Sequence, residues 1–116
     1  MMHEHRAEIL RVVDGDTLEC RIDHDWSIYS VQKVRLAGLN APELRGPGGE
    51  AAKAAVEAWV KNEALPWVVL RSEKPDPRDK YGRYLVTVTS RTGSDLGAEL
   101  IAAGHAVRWD GRGTRP

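Results

Sequence analysis

Arg35 and Glu43 bracket the stretch Arg35-Leu36-Ala37-Gly38-Leu39-Asn40-Ala41-Pro42-Glu43. Asp14-Gly15-Asp16-Thr17 lies upstream, and Asp79-Lys80-Tyr81-Gly82-Arg83 downstream. The upstream acids suit a hard divalent cation, which takes oxygen ligands. The guanidinium groups of Arg35 and Arg83 stay charged at any working pH and match phosphate oxygens in a planar fork. A carboxylate such as Glu43 can orient a water or take its proton. Pro42 fixes φ immediately before Glu43 and stiffens the turn that carries it. Acids for a metal, two arginines for a phosphate and one glutamate for water are the inventory of a phosphodiesterase.

Other chemistries find little support. Cys20 is the only cysteine, so an intrachain disulfide is excluded. Cys20 and His24 stand four apart on a strand and a loop, which does not converge them, and His3, His5 and His105 complete no zinc pattern. Neither a Walker-type phosphate loop nor a serine nucleophile elbow is present. Seventeen Lys and Arg balance seventeen Asp and Glu. A protein that follows a long duplex through many phosphates carries a basic excess. Any nucleic-acid contact here is therefore expected to be short, local and partly metal-mediated. No apolar run reaches transmembrane length, so no membrane partner is expected. Residues 1–6 lack the apolar core of a signal peptide, so a cytoplasmic location is expected.

The elements that position these groups can be read from pattern. The length, 116 residues, suits one domain. The reading divides it into a barrel domain over residues 1–110 and a mobile, Gly-rich tail over 111–116. Residues 7–13 and 17–22 read as strands joined by a turn at Asp14-Gly15, where the glycine tolerates positive φ. Asp14 itself reads as a turn residue. Residues 29–39 read as one long strand, with Val31, Lys33 and Arg35 on one face and Gln32, Val34 and Leu36 on the other. After Gly46-Pro47-Gly48-Gly49, residues 50–63 read as a helix whose stripe is Ala52, Ala55, Val56, Trp59 and Val60. Strands over 67–71 and 83–90 follow. A short helix over 96–103, capped by Ser94 or Asp95 and ended by Gly104, comes next, and residues 105–109 are extended. Trp59 and Trp67 read as core. The whole is mainly β: a five-stranded barrel of the oligonucleotide-binding type with two packed helices.

The three motif blocks, in this order and with the helix between the second and third, resemble the thermonuclease family, also called staphylococcal nuclease-like. The resemblance runs from about Ala7 to Trp109. It implies the same barrel and a calcium-dependent endonuclease that cleaves DNA and RNA to 3′-phosphate products. It implies that Asp16, residue 40 and the backbone carbonyl of Ala41 ligate calcium. Arg35 and Arg83 would stabilise the charge of the transition state, and Glu43 would activate water. It sets Lys80 and Tyr81 against the bound nucleotide, and Trp109 near a base-stacking position. The implied substrate is single-stranded DNA or RNA. Nothing indicates a homo-oligomer, although the family's further helix after the last extended segment is not encoded by residues 111–116.

Asn40 departs from the family pattern, which has a calcium-binding aspartate there. An amide oxygen ligates calcium but adds no charge, and calcium affinity follows ligand charge count. Three readings stay open. The site binds calcium weakly and is active, or it uses another divalent metal or another acid. Alternatively, the chain is a degenerate barrel that binds nucleic acid or a protein peptide without cleavage.

Overall fold

The computed structural model describes residues 3–72, 74 and 76–110. Five strands close into a barrel in the order β1 (His3–Val12), β2 (Thr17–Asp23), β3 (Tyr29–Leu36), β6 (Tyr84–Ser90), β5 (Val68–Ser72), which returns to β1. Neighbours are antiparallel except β3 and β6, which run parallel. Closure leaves none of these five strands with an open edge. Their alternation places Leu18, Ile22, Val34, Leu36, Val68, Leu70, Val86 and Val88 inside, all buried. Each such side chain contributes roughly 1.5–3 kcal/mol through burial.

Two helices pack on this core. α1 (Gly49–Glu63) buries Ala52, Val56 and Trp59, with Ala55 and Val60 half-buried beside them, as its stripe predicts. α2 (Leu96–Ala102) buries Leu96 and Leu100. Asp95 is its cap, accepting the Ala98 N–H at 3.0 Å. Ser94 instead accepts from the Trp59 indole at 2.9 Å and donates to Glu99, which ties α1 to α2. The mainly β barrel with two helices agrees with the sequence reading. Residues 111–116, read as a mobile tail, lie outside the described residues.

Three expectations are corrected. The strand expected over 29–39 ends at Leu36. Ala37 and Gly38 turn the chain, Gly38 at φ 79°, and Leu39–Asn40 forms a separate short strand, β4. β4 pairs with β7 (Val107–Arg108) outside the barrel, Leu39 opposite Arg108 and Asn40 opposite Val107. Trp67 is not core; it lies half-buried on the outside with the Arg6 guanidinium 4.4 Å from its ring. Gly15 does not adopt positive φ. Its missing side chain serves close packing: a Cβ there would stand 2.8 Å from the Cβ atoms of both Ala41 and Ala52.

Gly15 is thus the point where the β1–β2 turn, the site loop and α1 touch. Gly15→Ala is expected to cost about 1–3 kcal/mol through overpacking. Urea unfolding should show a lower midpoint at unchanged slope; an unaltered midpoint would contradict this packing role.

Candidate active site

The β1–β2 turn presents Asp16. Asp14 accepts the Asp16 N–H through Oδ1 at 3.0 Å, closing an Asx turn. This bears out the turn role read for Asp14 and aims the Asp16 carboxylate inward. Asp16 is 4% exposed. Its Oδ2 accepts the Ala41 N–H at 3.1 Å, and its Oδ1 accepts the Thr17 hydroxyl at 3.2 Å. One carboxylate therefore links the first motif block to the second, 25 residues along the chain.

Arg35 meets it from β3, where Thr17 is its cross-strand neighbour. Arg35 is 8% exposed, and its guanidinium is gripped on several sides. Nη1 donates to the carbonyls of Leu36 and Leu39 at 3.1 and 3.2 Å. Nη2 reaches Asp16 Oδ2 and Asn40 Oδ1, each at 3.5 Å. The Trp109 ring centroid lies 5.6 Å from its central carbon, and the Trp109 N–H donates to the Gly38 carbonyl at 3.0 Å. The β4–β7 pairing therefore brings together Asp16, Arg35, Asn40, Ala41 and Trp109.

The donor set fits a hard cation. Asp16 and Asn40 aim oxygens at one point, now a guanidinium nitrogen, and all the candidate ligand atoms are oxygens. It fits as a weak site, because it holds one formal charge and a metal must compete with Arg35 for both side chains. Among the described residues no three of His, Cys, Asp and Glu are grouped to hold a metal. The cavity of about 320 Å³ lined by His3, His5 and His24 contains none of the site residues. Burial pushes the Cys20 thiol up to about 12, with Glu19 adding to the shift, so it is not a ready nucleophile.

Glu43 follows Pro42 on the exposed loop that leaves this cluster. The loop is fixed by its backbone: the Glu43 carbonyl accepts the Gly46 N–H at 2.9 Å. The start of α1 presses on it so closely that a Cβ on Gly49 would overlap that carbonyl. Only glycine fits there.

Arg83 belongs to a second group. It immediately precedes β6, whose Tyr84 and Leu85 stand beside Val34 and Arg35 of β3, so Arg83 enters the strand that neighbours that of Arg35. Asp79 holds Arg83 by Nε and Nη2 at 3.0 and 2.9 Å and accepts its backbone N–H at 2.9 Å. Burial opposes ionisation of Asp79, but the N–H groups of Arg83 and Tyr81 and the Arg83 guanidinium outweigh it and hold the carboxyl below its usual range. Tyr81 is exposed at the turn, with Lys80 Nζ and the Arg83 guanidinium 5.2 and 5.3 Å from its ring. Lys80, Tyr81 and Arg83 were singled out from the sequence, but Asp79, which holds Arg83 and the Tyr81 N–H, was not. The signal was the four-residue spacing of Asp79 and Arg83 in a turn. The carbonyls of Leu36 and Leu39, which no side-chain motif reveals, were also missed.

Residues 33–114 match the model of the staphylococcal nuclease homologue family. Protein ParB of Escherichia coli is 38% identical over 85 residues, covering 73% of this chain and 42% of that protein. Endonuclease YhcR of Bacillus subtilis is 28% identical over 111 residues, covering 89% of this chain and 9% of that protein. An uncharacterized protein of Methanocaldococcus jannaschii, MJ1439, is 28% identical, covering 90% of this chain and 59% of its own length. The chain thus spans less than two thirds of each of these relatives. It belongs to the staphylococcal nuclease homologue family. No described helix is long and apolar enough to cross a membrane.

Burial raises the Asp16 pKa above 3.8, and Asp14 adds to the rise. The Ala41 N–H and Arg35 oppose it without cancelling it. Between 3.8 and that raised value the native protein holds more proton than the unfolded chain. Stability therefore falls as pH rises through this window. The native thermal midpoint should fall as pH rises through this window, and Asp16→Asn should lose that dependence. A variant whose calorimetric midpoint keeps the native pH dependence across that window would contradict this.

Proposed function

We propose that this member of the staphylococcal nuclease homologue family is a metal-dependent endonuclease hydrolysing phosphodiester bonds of single-stranded DNA or RNA. The observation that supports it most is the buried cluster of Asp16, Arg35 and Asn40. Its oxygens and guanidinium converge beside the loop that carries Glu43. A calcium ion, or another divalent cation, held by Asp16, Asn40 and the Ala41 carbonyl would polarise the phosphate.

The chain's own residues do the rest. Glu43, exposed on a rigid loop, orients a water against phosphorus and takes its proton. Arg35, fixed by the Leu36 and Leu39 carbonyls, offers a preorganised charge to the phosphate oxygens as negative charge develops. Arg83, clamped by Asp79, supplies the second guanidinium from the turn that leads into the neighbouring strand. Lys80 and Tyr81 flank it at the surface, where an ammonium suits a phosphate and an aromatic face suits a base or sugar. Trp109, packed along Arg35, lines the same approach.

One observation favours a second reading. Asp16 already serves Arg35, Ala41 and Thr17, and Asn40 adds no charge. A barrel with those commitments is also suited to gripping nucleic acid, or a protein peptide, without cutting. Cleavage separates the two readings; binding does not.

Glu43→Gln and Arg83→Ala should each slow cleavage of a labelled oligonucleotide at least about tenfold, within the range of general-base and charge-stabilising groups. Circular dichroism should show both variants folded. Full activity in either would remove that residue from the mechanism.

A further inference from the structure

The outer surface of the β2–β3 hairpin runs from the site to the far tip of the barrel. Tyr29, Val31, Lys33 and Arg35 alternate along β3 and share its outer face. Val34 and Leu36 face the core. Arg35 closes one end of this row. Tyr29 lies six residues away, about 20 Å along a strand. The partners across the ladder are Thr17, Glu19, Arg21 and Asp23. Lys33, Val31 and Tyr29 are exposed.

The far end of the row is built to display aromatic surface. The Arg21 guanidinium sits 4.0 Å from the Tyr29 ring centroid, leaving a flat, cationic platform. Beyond it, Asp25, Trp26 and Ser27 adopt φ of 70°, 57° and 63°. Three successive non-glycine residues in the left-handed region are strained. The turn is nevertheless pinned, by His24 N–H to the Ile28 carbonyl at 2.8 Å and Asp25 N–H to Asp23 Oδ1 at 2.7 Å. It holds Trp26 at 92% exposure and Ile28 at 60%. A strained, pinned turn that ends in a bare indole points to a ligand with a flat apolar face.

We propose that this face is a docking track for the single-stranded polynucleotide flanking the scissile phosphate. This rests on the nuclease reading of the site at its near end. Lys33 meets a backbone phosphate close to Arg35. Tyr29 on Arg21, and then Trp26, offer stacking surfaces to bases farther along. Stacking of this kind tolerates any base sequence. Glu19 is engaged by Arg11 at 3.8 Å, and Asp23 by the turn, so these acids are partly masked. Few cations line the track, so its salt dependence is shallow, in keeping with the chain's balanced charge.

The test compares fluorescein-labelled dT20, long enough to reach the hairpin tip, with dT3, which spans the site alone. The variants are Trp26→Ala with Tyr29→Ala, and Lys33→Ala separately, all at exposed positions. The double variant should raise KM for dT20 at least about fivefold, the lower end for loss of one stacked base. Its kcat on dT20 and its cleavage of dT3 should stay as in the native protein. Lys33→Ala should raise KM for dT20 in the same direction. An unchanged KM for dT20, or equal losses on both substrates, overturns the track. Loss of self-association in the double variant by analytical ultracentrifugation, with dT20 unaffected, would make the face an interface between copies and also overturn it. If the native protein cuts neither oligonucleotide, the nuclease reading fails, and anisotropy of dT20 decides the track separately. Weaker binding by the double variant then supports it, and equal binding overturns it.

Discussion

A buried guanidinium organises this protein. Arg35 sits almost without access to water, and a charge in that position is costly unless it is paired and hydrogen-bonded. Satisfying it requires the chain to turn at Ala37-Gly38, so that the Leu36 and Leu39 carbonyls both face Nη1. It requires the β1–β2 turn to bring Asp16 alongside. It also draws β7 against β4, which lays Trp109 on the guanidinium. The side chain proposed to meet transition-state charge is thus also what holds the site loop in place. Preorganisation and structural support come from the same contacts.

Asn40 takes on a second meaning in that setting. With Asp16 and Arg35 ionised and Asn40 neutral, the buried cluster carries no net charge. An aspartate at position 40 would leave an excess negative charge until a cation arrived. Asn40 therefore balances the cluster, at the expense of attraction for the divalent ion proposed to bind there. Asp16 shows that the balance is imperfect, since burial still raises its pKa against the pull of Arg35. Stability and the proposed metal binding would pull in opposite directions at this carboxylate.

The barrel and its two helices were legible because their signals are local. Alternation along 17–22 and 29–36 and the stripe from Ala52 to Val60 report buried faces directly. Asp16, Arg35, Asn40 and Ala41 were legible as a set through the family resemblance, and the structure gathers them. What escaped depends on tertiary contact. The break after Leu36 is hidden in a run that is apolar on both sides of Gly38; its turn sets the Leu36 and Leu39 carbonyls on Arg35. Gly15 reads as a turn former, yet it matters because Ala41 and Ala52 crowd it. Trp67 reads as core by its type but lies outside under Arg6. Asp79 looks like part of an irregular loop until its carboxylate is seen holding Arg83.

The central claim is that this oxygen-lined cluster, with asparagine at position 40, supports metal-dependent cleavage. Its most direct test is hydrolysis of labelled single-stranded DNA across a calcium titration and in chelator, with native protein and Asn40→Asp side by side. The account predicts cutting that disappears in chelator for both, with Asn40→Asp reaching half its maximal rate at lower calcium. Folded native protein that cuts nothing at any calcium concentration, or that cuts equally well in chelator, would contradict it.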